Sequence, residues 1–228
     1  MCNSWLRLFP VFLVPILSFP GMAIAQATSS APVAAAREAA FDAAGCAAWF
    51  RANRGGIGGE TFRDWFTTPR VSLGMGHYWT EHLKTEAEFA ITGQGNLVSF
   101  EELESEPGVS RYLYRDHTYR IRTLSLVQAW QFGHNAWVHP FLGAGIDVDW
   151  ERRTVETNLQ VSDNRTDPAF TVLTVSRETR TEVIPHAVAV AGLKAYLTRS
   201  AFFRTDVRAS FSEGVDQVAW RFGIGLDF

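Results

Sequence analysis

The chain of 228 residues carries 24 acidic against 21 basic side chains, a formal net charge of −3. That balance leaves no basic footprint for nucleic acid, and the length suits one domain with a full core or one closed barrel. Beyond the N-terminal segment no run of about 18 apolar residues occurs, which excludes helical membrane spans.

Residues 1–25 read as a signal peptide. Arg7 supplies a weak positive start, Leu8–Phe19 an apolar run broken by Pro10 and Pro15, and Ala23-Ile24-Ala25 a small-x-small cleavage site before Gln26. Removing it takes away Arg7 and Cys2, so the formal charge becomes −4 and Cys46 is left without an intramolecular disulfide partner. Residues 26–58 read as an alanine- and glycine-rich periplasmic leader: alanine favours helix, and Gly55-Gly56-Ile57-Gly58-Gly59 acts as a linker. Residues 59–228 are then the β domain.

From Pro69 onward seven segments alternate as strands do. Val71–Trp79 sets Val71, Leu73 and Met75 against Ser72, Gly74 and Gly76. After the Thr80-Glu81 turn, His82–Thr92 sets Leu83, Phe89 and Ile91 against Lys84, Glu86 and Glu88. Gly93–Asp116 reads as a long polar loop with the acidic run Glu101, Glu102, Glu104 and Glu106. Thr118–Phe132 is extended, but its apolar residues change parity, which suggests a bulge. Trp137–Glu151 alternates cleanly, and the polar stretch 152–181 follows, with Thr- and Val-rich flanks able to extend both neighbouring strands. Glu182–Leu197, Ala201–Ser212 and Asp216–Phe228 complete the set. In the last, Val218, Trp220, Phe222, Ile224, Leu226 and Phe228 form an entirely apolar face against Gln217, Ala219, Arg221, Gly223, Gly225 and Asp227.

With Phe228 on the periplasmic side, the short turns at 80–81, 133–136 and 198–200 all fall there, and the long connections 93–116 and 152–181 fall outside. Segregation of this kind is the transmembrane-barrel rule. Aromatics cluster near strand ends as girdles do: Tyr78, Trp79, Trp130, Phe132, Trp137, Tyr196 and Phe202 low, Trp150 and Trp220 high. An even, antiparallel barrel needs an eighth strand upstream of Pro69. The candidates are Gly59–Phe66, favoured for the strand propensity of Thr61, Phe62, Trp65 and Phe66, and Cys46–Asn53.

His139-Pro140-Phe141-Leu142-Gly143-Ala144-Gly145, Ala191–Thr198 and the closing strand together resemble the small bacterial outer-membrane β-barrels related to the transmembrane domain of outer-membrane protein A. The resemblance covers roughly Pro69–Phe228. It implies an all-β, eight-stranded, antiparallel up-and-down transmembrane barrel behind a short leader, with Phe228 as the terminal aromatic read by the barrel assembly machinery. The implied surroundings are outer-membrane lipid and lipopolysaccharide, and the implied state is a monomer. This family has no single activity, so no catalytic residue carries over.

The inward face collects Lys84, Glu86, Glu88, Asp147, Asp149, Lys194, Arg204, Asp206, Arg208 and Arg221, with His139 joining them. Eight strands leave a lumen just wide enough for side chains to fill, and buried charges there need partners. Mixed signs favour a salt-bridged plug over a conduit for small solutes. No histidine spacing matches a zinc site, and no cofactor is implied. A lipid A-modifying enzyme would need a serine beside a base; Ser72 and His77 lie on opposite faces, and Ser125 has no evident base. The expected function is a structural role or binding through loops 93–116 and 152–181, with the lipid A-modifying enzyme and the narrow solute pore as the alternatives.

Overall fold

The computed structural model describes residues 40–54, 60–61, 64–103, 109–132, 137–163, 167–212 and 214–228. The signal peptide, the leader as far as residue 39, the glycine linker, Glu104, Glu106 and the 133–136 turn with His134 lie outside them. The strands are β1 Phe41–Asn53, β2 Glu60–Thr61, β3 Trp65–Tyr78, β4 Leu83–Thr92, β5 Gly95–Leu103, β6 Val109–Gln131, β7 Val138–Asp163, β8 Asp167–Tyr196, β9 Ala201–Phe211 and β10 Val215–Asp227. All pairings are antiparallel, and the β6–β7 pairing closes the sheet into a ring. β4 and β5 follow one another along β6 as a single stave, interrupted at Gly93-Gln94. The two-residue β2 only flanks β5, so the ring has eight staves.

The first stave is β1, which pairs with β10 on one side and β3 on the other. This corrects the leader and barrel boundaries at 58 and 59, and the choice of Gly59–Phe66 as the eighth strand. That segment divides between β2 and the start of β3, while the alanine-rich segment around Cys46 forms the wall. Backbone hydrogen bonding on both edges of β1 overrides the helical preference of its alanines. The seam shuts at the periplasmic end, where Phe41 and Phe228 exchange backbone N–H···O bonds of 3.0 and 2.9 Å and stack their rings.

The alternation is that of a barrel in an apolar solvent. Outward side chains such as Leu73, Met75, Leu126, Ile146, Ile224 and Leu226 are more than half exposed or close to it, whereas their charged neighbours in sequence are buried. β6 alternates without any register shift from His117 to Gln131, so the expected bulge is absent. Its inward face simply carries Tyr119, Ile121, Val127 and Ala129, which scrambled the parity in the sequence. The exposed aromatics Trp79, Trp130, Phe132 and Trp137 ring the periplasmic end, and Trp49, Trp150 and Trp220 the other. Tyr78, Tyr196 and Phe202 do not belong to that girdle. They share parity with Gly76, Lys194 and Arg204 and face the lumen, where the Tyr78 hydroxyl donates to Asp42 Oδ2 at 2.9 Å.

The two long connections are largely strand. β5 pairs with β6 through Leu103↔Arg111, β6 with β7 through Val109↔Asp163, and β7 with β8 through Asp163↔Asp167. β9 leaves β8 at Ala187↔Phe211. Above that point β5, β6, β7 and β8 continue as a ribbon raised over the rim.

Candidate functional site

The lumen brings together the charged residues expected on the inward face. Lys84, Glu86, Glu88, Asp147, Asp149, Lys194, Arg204, Asp206, Arg208 and Arg221 are all buried. All but Asp149 join a chain of alternating sign. At the periplasmic floor Lys194 Nζ donates to Asp227 Oδ1 at 2.6 Å and Asp42 Oδ2 at 3.2 Å, and Lys84 Nζ to Asp42 Oδ2 at 2.8 Å. Lys84 also meets Glu86 Oε2 at 2.8 Å, and Arg204 binds Glu86 at 2.5 Å and Asp206 at 2.7 Å. Asp206 in turn takes Arg221 through a two-pronged contact of 2.6 and 3.0 Å. Arg221 donates to Glu88, and Arg208 lies 3.3 Å from Glu88 and 3.6 Å from Asp147. Bidentate and chained charge-assisted bonds of this kind offset the cost of burial.

His139 stands apart from the chain. It is half-buried at the floor, with its ring edge-on to Tyr196 at 5.5 Å. Several members escaped the sequence reading. Asp42 lies in a segment read as leader. Arg70, on β3, stands 3.8 Å from Glu88; it follows the parity of Gly74 and Gly76, which could have found it. His186 sits between Asp149 at 3.4 Å and Asp216 at 3.3 Å, and Gln217 donates to Asp149 at 2.5 Å.

The interior is not polar throughout. Phe50, Phe66, Leu97, Tyr119 and Ile121 form an apolar cap toward the outer end, and Val127, Phe141, Val188 and Val190 a second cluster on the β6–β8 side. The guanidiniums use these rings as walls: Arg70 lies 5.3 Å over Phe50, and Arg204 lies 4.8 Å over Phe141. Cys46, buried on β1, packs in the lumen with Ala44 and Phe202. A space bounded by Asp42, Lys84, Glu86, Gln131, Lys194 and Arg204 measures about 10 Å³, room for a single water.

One serine–histidine hydrogen bond appears that the sequence did not reveal. Ser99 Oγ lies 2.9 Å from His117 Nε2, both residues buried in the raised ribbon. The other ring nitrogen, Nδ1, lies 3.0 Å from Arg153 Nη2. A guanidinium only donates, so Nδ1 accepts, Nε2 carries the proton, and the imidazole donates to the serine. A base that must take a serine proton needs the opposite tautomer. Burial, followed by the charges of Arg153 and Arg115, pushes this histidine down to about 4. Ser125 accepts from Arg208 at 2.6 Å, and Ser72 and His77 lie on opposite faces of β3.

No family model and no curated relative matches the sequence. Among solved structures the chain is similar to the attachment invasion locus protein Ail of Yersinia pestis, at 12% identity and a TM-score of 0.48, over 84% of this chain and 99% of that one. It is similar also to the outer membrane protein OprG of Pseudomonas aeruginosa, at 10% identity and 0.45 over 84% and 97%, and to the N-terminal β-barrel domain of OprF from the same organism, at 12% and 0.44 over 82% and 97%. The likeness is one of fold alone. A closed antiparallel ring with an apolar exterior and girdles at both ends is a transmembrane β-barrel, the form in which strands cross a bacterial outer membrane.

Proposed function

We propose that this barrel acts by display: the filled lumen makes it a rigid, monomeric anchor in outer-membrane lipid, and the raised ribbon is its recognition surface, without turnover or solute flow. The observation that carries this reading is the ribbon itself. The strands β5 to β8 run well past the rim, and β8 beyond Ala187 has no partner on its outer edge among the described residues. That edge exposes Val172, Leu173 and Val175. Recognition commonly resides on segments held out by a rigid scaffold, and a paired ribbon costs less ordering entropy on binding than a loose loop.

The test is to shorten the ribbon by joining β7 to β8 below Glu156 and Arg177 and to display both forms on bacterial cells. The intact form is expected to promote adhesion of the cells to a solid surface or to one another, and the shortened form to insert equally but lose adhesion. Equal adhesion by both would end this reading. Lipid A mass spectra from the same cells address the enzyme alternative, since a lost or gained acyl chain would signal turnover.

A further inference from the structure

We propose that Arg120, Arg122 and Arg152, on the outward face of β6 and β7 at and just beyond the upper aromatic level, form a binding site for the phosphate groups of an outer-leaflet glycolipid. The proposal rests on the placement of the barrel in the outer membrane. Along the outward face the pairs run Leu124↔Val148, Arg122↔Trp150, Arg120↔Arg152, Thr118↔Thr154 and Asp116↔Glu156. On β8, Val183 stands beside Trp150 and Thr181 beside Arg152. The surface therefore passes from apolar, through one tryptophan, to three exposed arginines.

Two features point to an external anion. Arg120 and Arg152 sit directly across from one another, and like charges in that relation destabilise a sheet. Among the described residues none of the three arginines has a carboxylate within ion-pair distance; Arg120 Nη2 reaches only Gln94 Oε1, at 3.4 Å. The acids of the same face lie beyond the threonine pair, and there Asn158 donates to Asp116 at 3.3 Å. Two facing guanidiniums without a carboxylate partner suit a phosphate held by several donors at once.

The apolar floor selects the source. Leu124, 49% exposed, lies immediately below Arg122, and Trp150 and Val183, 40% and 59% exposed, lie level with Arg122 and below Arg120 and Arg152, which matches acyl chains beneath a phosphate. A free anion has no use for that floor. Arg51 is the internal control: it points outward from β1, across the ring from β7, and stacks over Trp65 at 5.6 Å.

Binding would be measured on the purified protein in detergent with three probes: lipid A carrying its phosphates, the same lipid dephosphorylated, and inorganic phosphate. The expected result is at least about tenfold preference for the phosphorylated lipid, lost in Arg120→Gln/Arg152→Gln, kept in Arg51→Gln, and not competed by inorganic phosphate at equal concentration. Arg152→Glu serves as a second variant, because it pairs with Arg120 across the strands and so relieves the repulsion while removing the site. Equal binding of the two lipids, or undiminished preference in both variants, would overturn the proposal. Competition by inorganic phosphate would overturn the lipid source. Liposome insertion of the same preparations separates the two readings: failure of the unmodified protein to insert sinks the membrane placement, whereas insertion without phosphate preference sinks only the arginine site.

Discussion

Glu88 is the residue on which three guanidiniums converge. Arg221 donates to one of its oxygens, and Arg208 and Arg70 approach the other at 3.3 and 3.8 Å. Glu88→Gln keeps the shape and removes the charge, leaving Arg208 to Asp147, Arg221 to Asp206 and Arg70 without an ion pair among the described residues. Breaking a buried pair from one side costs about 3–5 kcal/mol, and the expected loss is of that order. Urea unfolding in detergent, followed by tryptophan fluorescence, measures it; an unchanged midpoint would show that the cations find water instead. His117 makes a second residue-scale prediction, and it lies in the ribbon, above the aromatic level. Its folded value of about 4 stands below the unfolded reference of about 6.5. The unfolded chain therefore binds more protons between those values, so the contribution of His117 is complete above 6.5 and is lost as pH falls toward 4. The unmodified protein should lose more stability between pH 7 and 4.5 than His117→Gln does, and parallel losses would refute the assignment.

At the scale of the strand, glycines decide how closely the staves approach. A Cβ at Gly145 of β7 would meet the backbone of Leu126 and Val127 on β6, and one at Gly223 of β10 would meet the Cys46 sulfur and the Gly45 carbonyl on β1. Gly145→Ala cannot be absorbed by a flexible side chain and is expected to cost about 1–3 kcal/mol, read as a lower unfolding midpoint and a smaller heat-modifiable fraction on gels. A full complement of folded protein at unchanged midpoint would count against it. These glycines were legible because they fall on the polar parity of strands whose other face is apolar. β1 was not. Its two faces carry Ala43, Gly45 and Ala47 against Ala44, Cys46 and Ala48, so no hydrophobic contrast marks a strand, and only the pairing to β3 and β10 makes it one. The raised ribbon hid for a related reason. Runs such as Arg152–Thr157 carry polar side chains on both faces, with Val155 the one apolar residue among them, so the contrast that reveals a membrane strand disappears above the rim. The charged members of the lumen were readable by parity, but their partners Asp42 and Arg70 lay in segments whose parity was not used.

At the scale of the molecule, the question is what seals the lumen. On the proposed reading, the floor, where Lys194 holds Tyr78, Asp42 and Asp227, and the apolar cap of Phe50, Phe66 and Tyr119 close the ends. The alternating ladder from Glu86 through Arg204, Asp206 and Arg221 to Glu88 then fills the space between them. Removing one floor residue leaves the ladder intact, so Lys194→Ala is expected to stay silent in planar bilayers, as is the unmodified barrel. Arg204→Ala/Arg221→Ala empties the middle of the ladder and strands Glu86, Glu88 and Asp206 without their main partners. Water enters to solvate those carboxylates, because leaving them dry is far more costly. The cap then becomes the narrowest point, so adding Phe50→Ala should raise the conductance further. Lys84 stays beside Glu86, and Arg208 and Arg70 beside Glu88, but Asp206 loses both of its cations; the middle of the path turns net negative, and the reversal potential under a potassium chloride gradient should report cation selectivity. Each variant is first shown to be folded by its migration in unheated gels. Steady conductance from the unmodified barrel, or anion selectivity in the double variant, would mean that the ladder is not what closes the channel.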